Sequence, residues 1–443
     1  MYTSSESNNI KLFIHIRDFL EIFMLIIIML RMSSMYLVIN PFYDSQINEL
    51  CYNWLVNILG SLIVLSIILE KIKCSLLQIV VAGISYIYFF DYSNMVNYNT
   101  SEFNKEFVKI FFLMFFYFVI NNKRPMFEIV WKRYSTIVLV MASVSLFFYF
   151  FGEIVHVIPH MDLKYYNYNS WLPGSNYFYL YFVNYSQNRP FLGINVVRNI
   201  GMFMEAPGFA LPLSFALWWE LFGCENIKKH RVSVIVITML TTFSMKAYLM
   251  LVLLVFLYFW KNCKQMGWEY FREIIGYTFI GIVALLVLYI VFIDHKVFFK
   301  MGSIAWRMQD TIAAFLTWLD YPIWGCGYSN QKEMFAHFLD PAHAGYTAGL
   351  FNVMAYGGVL MLGFYLISLL GYFNVSKNNK WRAFVFVVMF VTFLFMTSMQ
   401  FRYFTIFILA EGLAMLASPY MSDNKKTTKY KRLKYKVKGS VCI

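Results

Sequence analysis

Apolar residues in this chain run in long unbroken blocks, neither alternating as in a half-buried strand nor striped as on a surface helix. Blocks long enough to cross a hydrocarbon layer lie at roughly 20–39, 53–69, 74–90, 107–120, 135–158, 200–222, 274–293, 346–373, 383–399 and 404–418. Between 232 and 260 the pattern is ambiguous. An apolar run to Phe243 is followed by Ser244-Met245-Lys246-Ala247-Tyr248 and then by a second run from Leu249 to Trp260. One long tilted helix, two short crossings and a re-entrant hairpin all fit.

Composition excludes the soluble classes. Of 443 residues 60% are hydrophobic, 21% aromatic and 14% charged, against about a quarter charged in a soluble domain. Too few polar side chains remain to cover a globular surface, so the expected fold is all-α: a polytopic integral membrane protein, 1–443, built as a single transmembrane domain.

Charge then settles the parity of the ambiguous region. The loops 261–273 and 374–382 with the tail 419–443 hold fourteen Lys and Arg. A single crossing would put them outside, whereas two crossings or a hairpin put them inside, as the positive-inside rule prefers. About twelve crossings are therefore expected, with both termini cytoplasmic and 419–443 a basic cytoplasmic tail. Most of the +13 net charge is read as topology, with no nucleic-acid partner. Met1 to Asn9 is polar and the first span lacks a small-residue cleavage site, so no cleavable signal is expected.

Two external loops, 159–197 and 294–345, are far longer than the rest, a length uncommon without a task. The six cysteines lack ligand spacing, and two free thiols at Cys51 and Cys326 are expected rather than a disulfide between them. No pair of the seven histidines falls four apart on a helix, so neither a metal site nor a cofactor is expected.

The densest polar group within apolar sequence runs from Asn195 to Ala210. Seven positions separate Arg198 from Glu205, about 700° on a helix, which would put both on one face about 10 Å apart. Gly201 and Gly208 lie beside them, and Pro207 and Pro212 predict a kinked or broken span. A carboxylate at that depth is by default a functional candidate. In the second long loop, Ile304, Met308, Ile312, Phe315 and Leu319 share one helical face, while Arg307, Asp310, Thr311 and Thr317 share the other. This predicts an amphipathic helix at the membrane interface, its apolar side on the bundle or the lipid. Gly325 and Gly327 suggest a tight turn whose backbone amides could form an anion nest. His343 stands at the mouth of the next span as a candidate general base.

Arg189, Arg198, Lys246, Arg307 and Arg402 thus gather outside, against the charge trend. Binding a phosphate or pyrophosphate is the economical reason, since guanidinium donors match phosphate oxygens. The Tyr residues and Trp171 of the first long loop offer flat faces suited to sugar rings or to an interfacial belt.

Four motifs in order carry a resemblance. They are Arg198-x-x-Gly201-x-x-x-Glu205-x-Pro207-Gly208, Thr241-Thr242-Phe243-Ser244, Tyr321-Pro322-Ile323-Trp324-Gly325-Cys326-Gly327 and Gly357-Gly358. With the two long loops, from residue 130 onward the chain resembles the O-antigen polymerase (Wzy) family, to which the O-antigen ligases are related. Tyr346 stands where the ligases place a histidine before the glycine at Gly357, and this departure favours the polymerases. The resemblance implies a metal-independent glycosyltransferase of the bacterial inner membrane. It would move a polymer from undecaprenyl pyrophosphate to the terminal sugar of a lipid-linked repeat unit, on the periplasmic side, in company with a chain-length regulator protein. Arg198 and Arg307 would steady the departing pyrophosphate, and Glu205 or His343 would take the acceptor proton. Arg189, Lys246, Asp310, Gly325, Gly327 and Tyr346 would bind substrate. A lipid-linked oligosaccharide flippase is the competing non-enzyme reading.

Overall fold

The structure, a computed structural model, describes residues 4–39, 45–70, 74–167, 170–187, 189–191, 194–224, 226–265, 303–339, 347–375 and 380–418. It is mostly helical, and five described helices are long and apolar enough to cross a membrane: Ile47–Leu69, Leu76–Val96, Met126–Ile154, Met245–Asn262 and Gly349–Asn374. This is the build of a multi-pass membrane protein. The flank of Leu76–Val96 leaves Leu76, Ile79, Ile84 and Ile87 uncovered, with no polar sheath over them.

In chain order the helices are α1 (Ser4–Leu30), α2 (Ser45–Leu69), α3 (Leu76–Val96), the short α4 (Thr100–Glu102), α5 (Lys109–Ile120), α6 (Met126–Phe148), α7 (Ala206–Trp218), α8 (Lys229–Thr241) and α9 (Met245–Gln265). They continue with α10 (Ser303–Asp320), α11 (Gln331–Phe335), α12 (Gly349–Val375), α13 (Lys380–Met396) and α14 (Tyr403–Leu416). A π turn at Phe103–Val108 joins α4 to α5, and another at Tyr149–Ile154 extends α6. The ambiguous stretch resolves into two helices, α8 and α9, broken at Thr242-Phe243-Ser244, where Phe243 takes a φ of 44°. At thirteen residues α8 is only about 20 Å long, short of the roughly 30 Å hydrocarbon layer.

Aromatic residues fill the core. The fully buried Trp131 stacks on Phe215 at 5.6 Å and meets Trp218 and Phe386 edge-on, locking α6, α7 and α13 together.

The first long loop departs from the all-α expectation. Its strands β1 (Met161–Asn167), β2 (Ser170–Tyr177) and β3 (Tyr181–Asn184) form an antiparallel sheet, and β4 (Arg189–Phe191) pairs with β5 (Ile194–Val196). We call this the strand-bearing end. The chain after α1 is woven into it, with Ile39 bridging Tyr165 and Ser34 bridging Phe203. Alternating Tyr and hydrophobic positions supply the sheet with buried Tyr165, Tyr177 and Tyr181.

At the opposite end a buried ionic network ties α1 to the α5–α6 turn. The Glu21 carboxylate accepts from Arg124 at 2.7 Å and from Tyr117 at 2.5 Å and is ion-paired with Arg133; Arg133 also reaches Asp18 at 2.6 Å, and Arg17 approaches Glu70 at 3.8 Å. Arg17 and Glu21 are buried within α1, which runs from Ser4, and the ion pairs offset the cost of burying them.

One long helix is broken deliberately. Within α12, Gly358 adopts φ 64° and ψ −169°, which interrupts the ladder. The segment 321–327 repairs the gap: Cys326 N donates to Ala355 O at 2.8 Å, Gly327 N to Tyr356 O at 3.1 Å, and Val359 N to Pro322 O at 2.9 Å. Freed backbone groups inside a bundle need such replacement partners. The approach is so close that a Cβ at Gly325 would lie 2.3 Å from the carbonyl carbon of Tyr356.

Candidate functional site

The predicted Arg198–Glu205 helical face does not form. Residues 197–205 are extended and turned, and the helix begins only at Ala206, with Glu205 as its N-cap residue. Two local causes explain this. Pro207 is suited to the first helical turn, where no amide partner is needed, so it starts the helix instead of breaking one. Upstream, Asn199 claims the backbone: its side-chain oxygen accepts from Gly201 N at 3.2 Å and from Ser145, and its side-chain amide donates to Thr241 Oγ1 at 3.0 Å. Gly201 completes the turn at φ 58°, packed so tightly that a Cβ would meet the Phe209 ring at 2.9 Å.

Though off a common helix, the two residues stay at the same end of the bundle. The buried Arg198 donates from Nε to Thr242 O at 3.1 Å, which fixes it to the α8–α9 break. Lys246 stands four positions on, in the first turn of α9. It is 8% exposed, and Nζ donates to Thr397 Oγ1 at 2.8 Å in the connection between α13 and α14. Its ammonium lies within electrostatic range of both the Glu205 carboxylate and the Arg307 guanidinium on α10. Arg307 is exposed, and among the described residues no carboxylate pairs with it. Glu205 is half-buried and leaves its helix uncapped by its side chain, within electrostatic range of Tyr165 on β1.

The group comprises three cations, Arg198, Lys246 and Arg307, and one carboxylate, Glu205: Lys246 lies within electrostatic range of Glu205 and Arg307, and Arg198 is bonded at the α8–α9 break. They come from the pre-α7 segment, α9 and α10, so the tertiary fold assembles the group. Such a surplus of positive charge, two of its groups buried, suits a multiply charged anion, and the Glu205 carboxylate is a candidate proton acceptor.

Helix α10 is amphipathic, and its faces are assigned. Met308, Ile312 and Leu319 are exposed, while Asp310, Ala313, Ala314 and Thr317 are buried against α12. Of the apolar side, Phe315 reaches the bundle, meeting Phe351 of α12 edge-on at 6.4 Å; small residues make the closer helix contact. Asp310, 1% exposed, accepts from Thr347 N at 2.8 Å and Thr347 Oγ1 at 2.6 Å, joining α10 to the chain just before α12. It thereby positions the helix that carries Arg307.

The anion nest predicted at Gly325 and Gly327 is not available. Their amides donate to Tyr321 O and Tyr356 O, both at 3.1 Å, and the Cys326 amide to Ala355 O, because the segment is spent repairing α12. Arg189 lies in β4 in register with Val196, and its side chain is outside the described residues, as are His343, Tyr346 and the tail 419–443. Among the described residues no group of His, Cys, Asp or Glu could hold a metal ion. The sequence reading assigned no role to Asn199, Thr347 or Thr397, the hydrogen-bonding residues that fix the site; only the Thr241-Thr242 pair signalled that polar groups cluster there. Arg402, at the start of α14, is exposed and lies within electrostatic range of Arg31, which is paired with Glu106 at 3.1 Å.

Comparisons with protein-family models, with curated proteins and with solved structures gave no match for this chain.

Proposed function

We propose that the chain is a membrane glycosyltransferase that polymerises lipid-linked saccharide repeat units at its strand-bearing end. In this reading it crosses a bacterial inner membrane about twelve times with both termini cytoplasmic, so that the strand-bearing end is periplasmic. The observation that carries the reading is Lys246, bonded to Thr397, within electrostatic range of both Glu205 and Arg307, with Arg198 bonded at the adjoining α8–α9 break. The order of motifs resembling the O-antigen polymerase family lends it support.

The chemistry follows from the charges. The acceptor sugar hydroxyl attacks the anomeric carbon of the polymer, the bond from that carbon to the pyrophosphate oxygen breaks, and the hydroxyl proton passes to Glu205. Negative charge develops on the departing undecaprenyl pyrophosphate, where Arg198, Lys246 and Arg307 stabilise it most if already fixed in place. The exposed aromatic side chains Trp171 and Tyr179 of the adjacent strands offer faces for the saccharide.

Gel separation of surface polysaccharide from a deletion strain tests this. Loss of a polymerase leaves the final acceptor bearing a single repeat unit. Loss of a ligase or a flippase leaves it bearing none, an outcome that would overturn the assignment.

A further inference from the structure

Far from the strand-bearing end, α14 carries one carboxylate in an otherwise apolar sequence. Glu411 is fully buried, and among the described residues no cation pairs with it. Trp131 Nε1 of α6 donates to Oε2 at 3.0 Å. Tyr372 of α12 sets its hydroxyl 2.9 Å from Oε2 and equally 2.9 Å from Ile408 O, so one hydroxyl proton serves two acceptors. The second oxygen, Oε1, has no partner. Beside Glu411 is a cavity of about 20 Å³ lined by Phe118, Asn122, Met126, Glu411, Met415 and Ser418 among others. Ser418 Oγ, also buried, has no partner either. Two orphaned polar atoms thus line one cavity, and about 10–15 Å³ is enough for a single water.

We propose that Glu411 and this cavity form a proton-binding site served by one water and opening toward the end of the bundle opposite the strands. An unpaired carboxylate at this position would be a bare buried charge, whereas the neutral acid keeps every group satisfied. Oε1–H then donates to the cavity water, the water bridges to Ser418 Oγ, and Oε2 remains the acceptor for Trp131 and Tyr372. Proton uptake needs no other reactant. A hydronium in the adjoining aqueous phase gives its proton to the cavity water, and that water gives one of its own to Oε1. The lining supports the direction of access, since Asn122 follows α5 and Ser418 follows α14, both at the opposite end. A second acid within electrostatic range, Glu128 on α6, is paired with Arg382 at 3.2 Å, so that cation is engaged away from Glu411.

Infrared difference spectroscopy on the full chain in proteoliposomes provides the test. The wild type is expected to show a protonated carboxyl band that shifts on transfer to D2O. Glu411→Gln should remove that band, Glu411→Asp should displace it, and Ser418→Ala should slow its exchange severalfold. A band untouched by either Glu411 variant would overturn the proposal, as would one that Glu411→Gln removes but that never exchanges with D2O. Should Glu411→Gln fail to accumulate, displacement of the band by Glu411→Asp carries the same decision.

Discussion

Lys246 Nζ lies 2.8 Å from Thr397 Oγ1, although 151 positions separate the two residues. The contact joins the first turn of α9 to the connection between α13 and α14, and fixes a nearly buried ammonium within electrostatic range of Glu205 and Arg307. Hydrogen bonds to charged groups contribute about 1.5–3 kcal/mol, so Thr397 is a positioning residue of consequence. We predict that Thr397→Val reduces polymer formation by roughly tenfold or more, and that Lys246→Met abolishes long chains, with membrane abundance of both unchanged. Full-length polymer from Lys246→Met would remove Lys246 from the site.

Asp310 should behave differently from its neighbour Arg307. Removing its carboxylate strands Thr347 N and Oγ1, a cost of about 1–3 kcal/mol for each buried group left unsatisfied. We expect Asp310→Ala to lower the unfolding temperature of the solubilised protein. Adding Thr347→Ala should cost less than the sum of the two single changes. Arg307→Ala, an exposed change, should leave that temperature alone and still eliminate polymer.

The break in α12 gives a paired glycine test. A Cβ at Gly358 would sit 2.1 Å from Ile323 O, whereas one at Gly363 meets nothing within 4 Å. Gly358→Ala should therefore leave little folded protein, while Gly363→Ala should be neutral or stabilising by up to about 1 kcal/mol. Fluorescence-detected size exclusion of both variants reads this out, and equal profiles would refute the packing described for segment 321–327.

At the opposite end, Glu21→Ala should leave Arg124 and Arg133 with Asp18 as their remaining carboxylate. Breaking a buried ionic cluster costs about 3–5 kcal/mol, a loss visible as reduced accumulation and a lower unfolding temperature. Polymer made per folded molecule should stay unchanged, because none of these residues lies near Lys246.

Much of the bundle was legible because lipid-facing and core positions are both apolar, so helices appear as blocks even where their buried faces cannot be told from sequence. What escaped was set by distant partners. Asp18 and Glu21, at the edge of the apolar block read at 20–39, find their partners in Arg124 of the α5–α6 turn and Arg133 of α6, which the sequence does not place beside them. Arg198 and Glu205 were assigned to one helical face by spacing, but Asn199 binds the local backbone more effectively than a helix would, and Pro207 marks a beginning. The glycines of 321–327 were correctly read as a tight turn. Their amides were not free: Gly325 donates within its own turn to Tyr321 O, and Gly327 to Tyr356 O on α12, some thirty residues on. Glu411 went unremarked because a single acid hardly alters the hydropathy of an apolar stretch.

The repair of α12 by segment 321–327 has a consequence for how the protein is made. A helix interrupted at Gly358 would enter the bilayer with bare carbonyls and amides. The segment that satisfies them comes earlier in the chain, so it has already left the ribosome when Gly358 emerges. Synthesis order thus supplies the partner before the break.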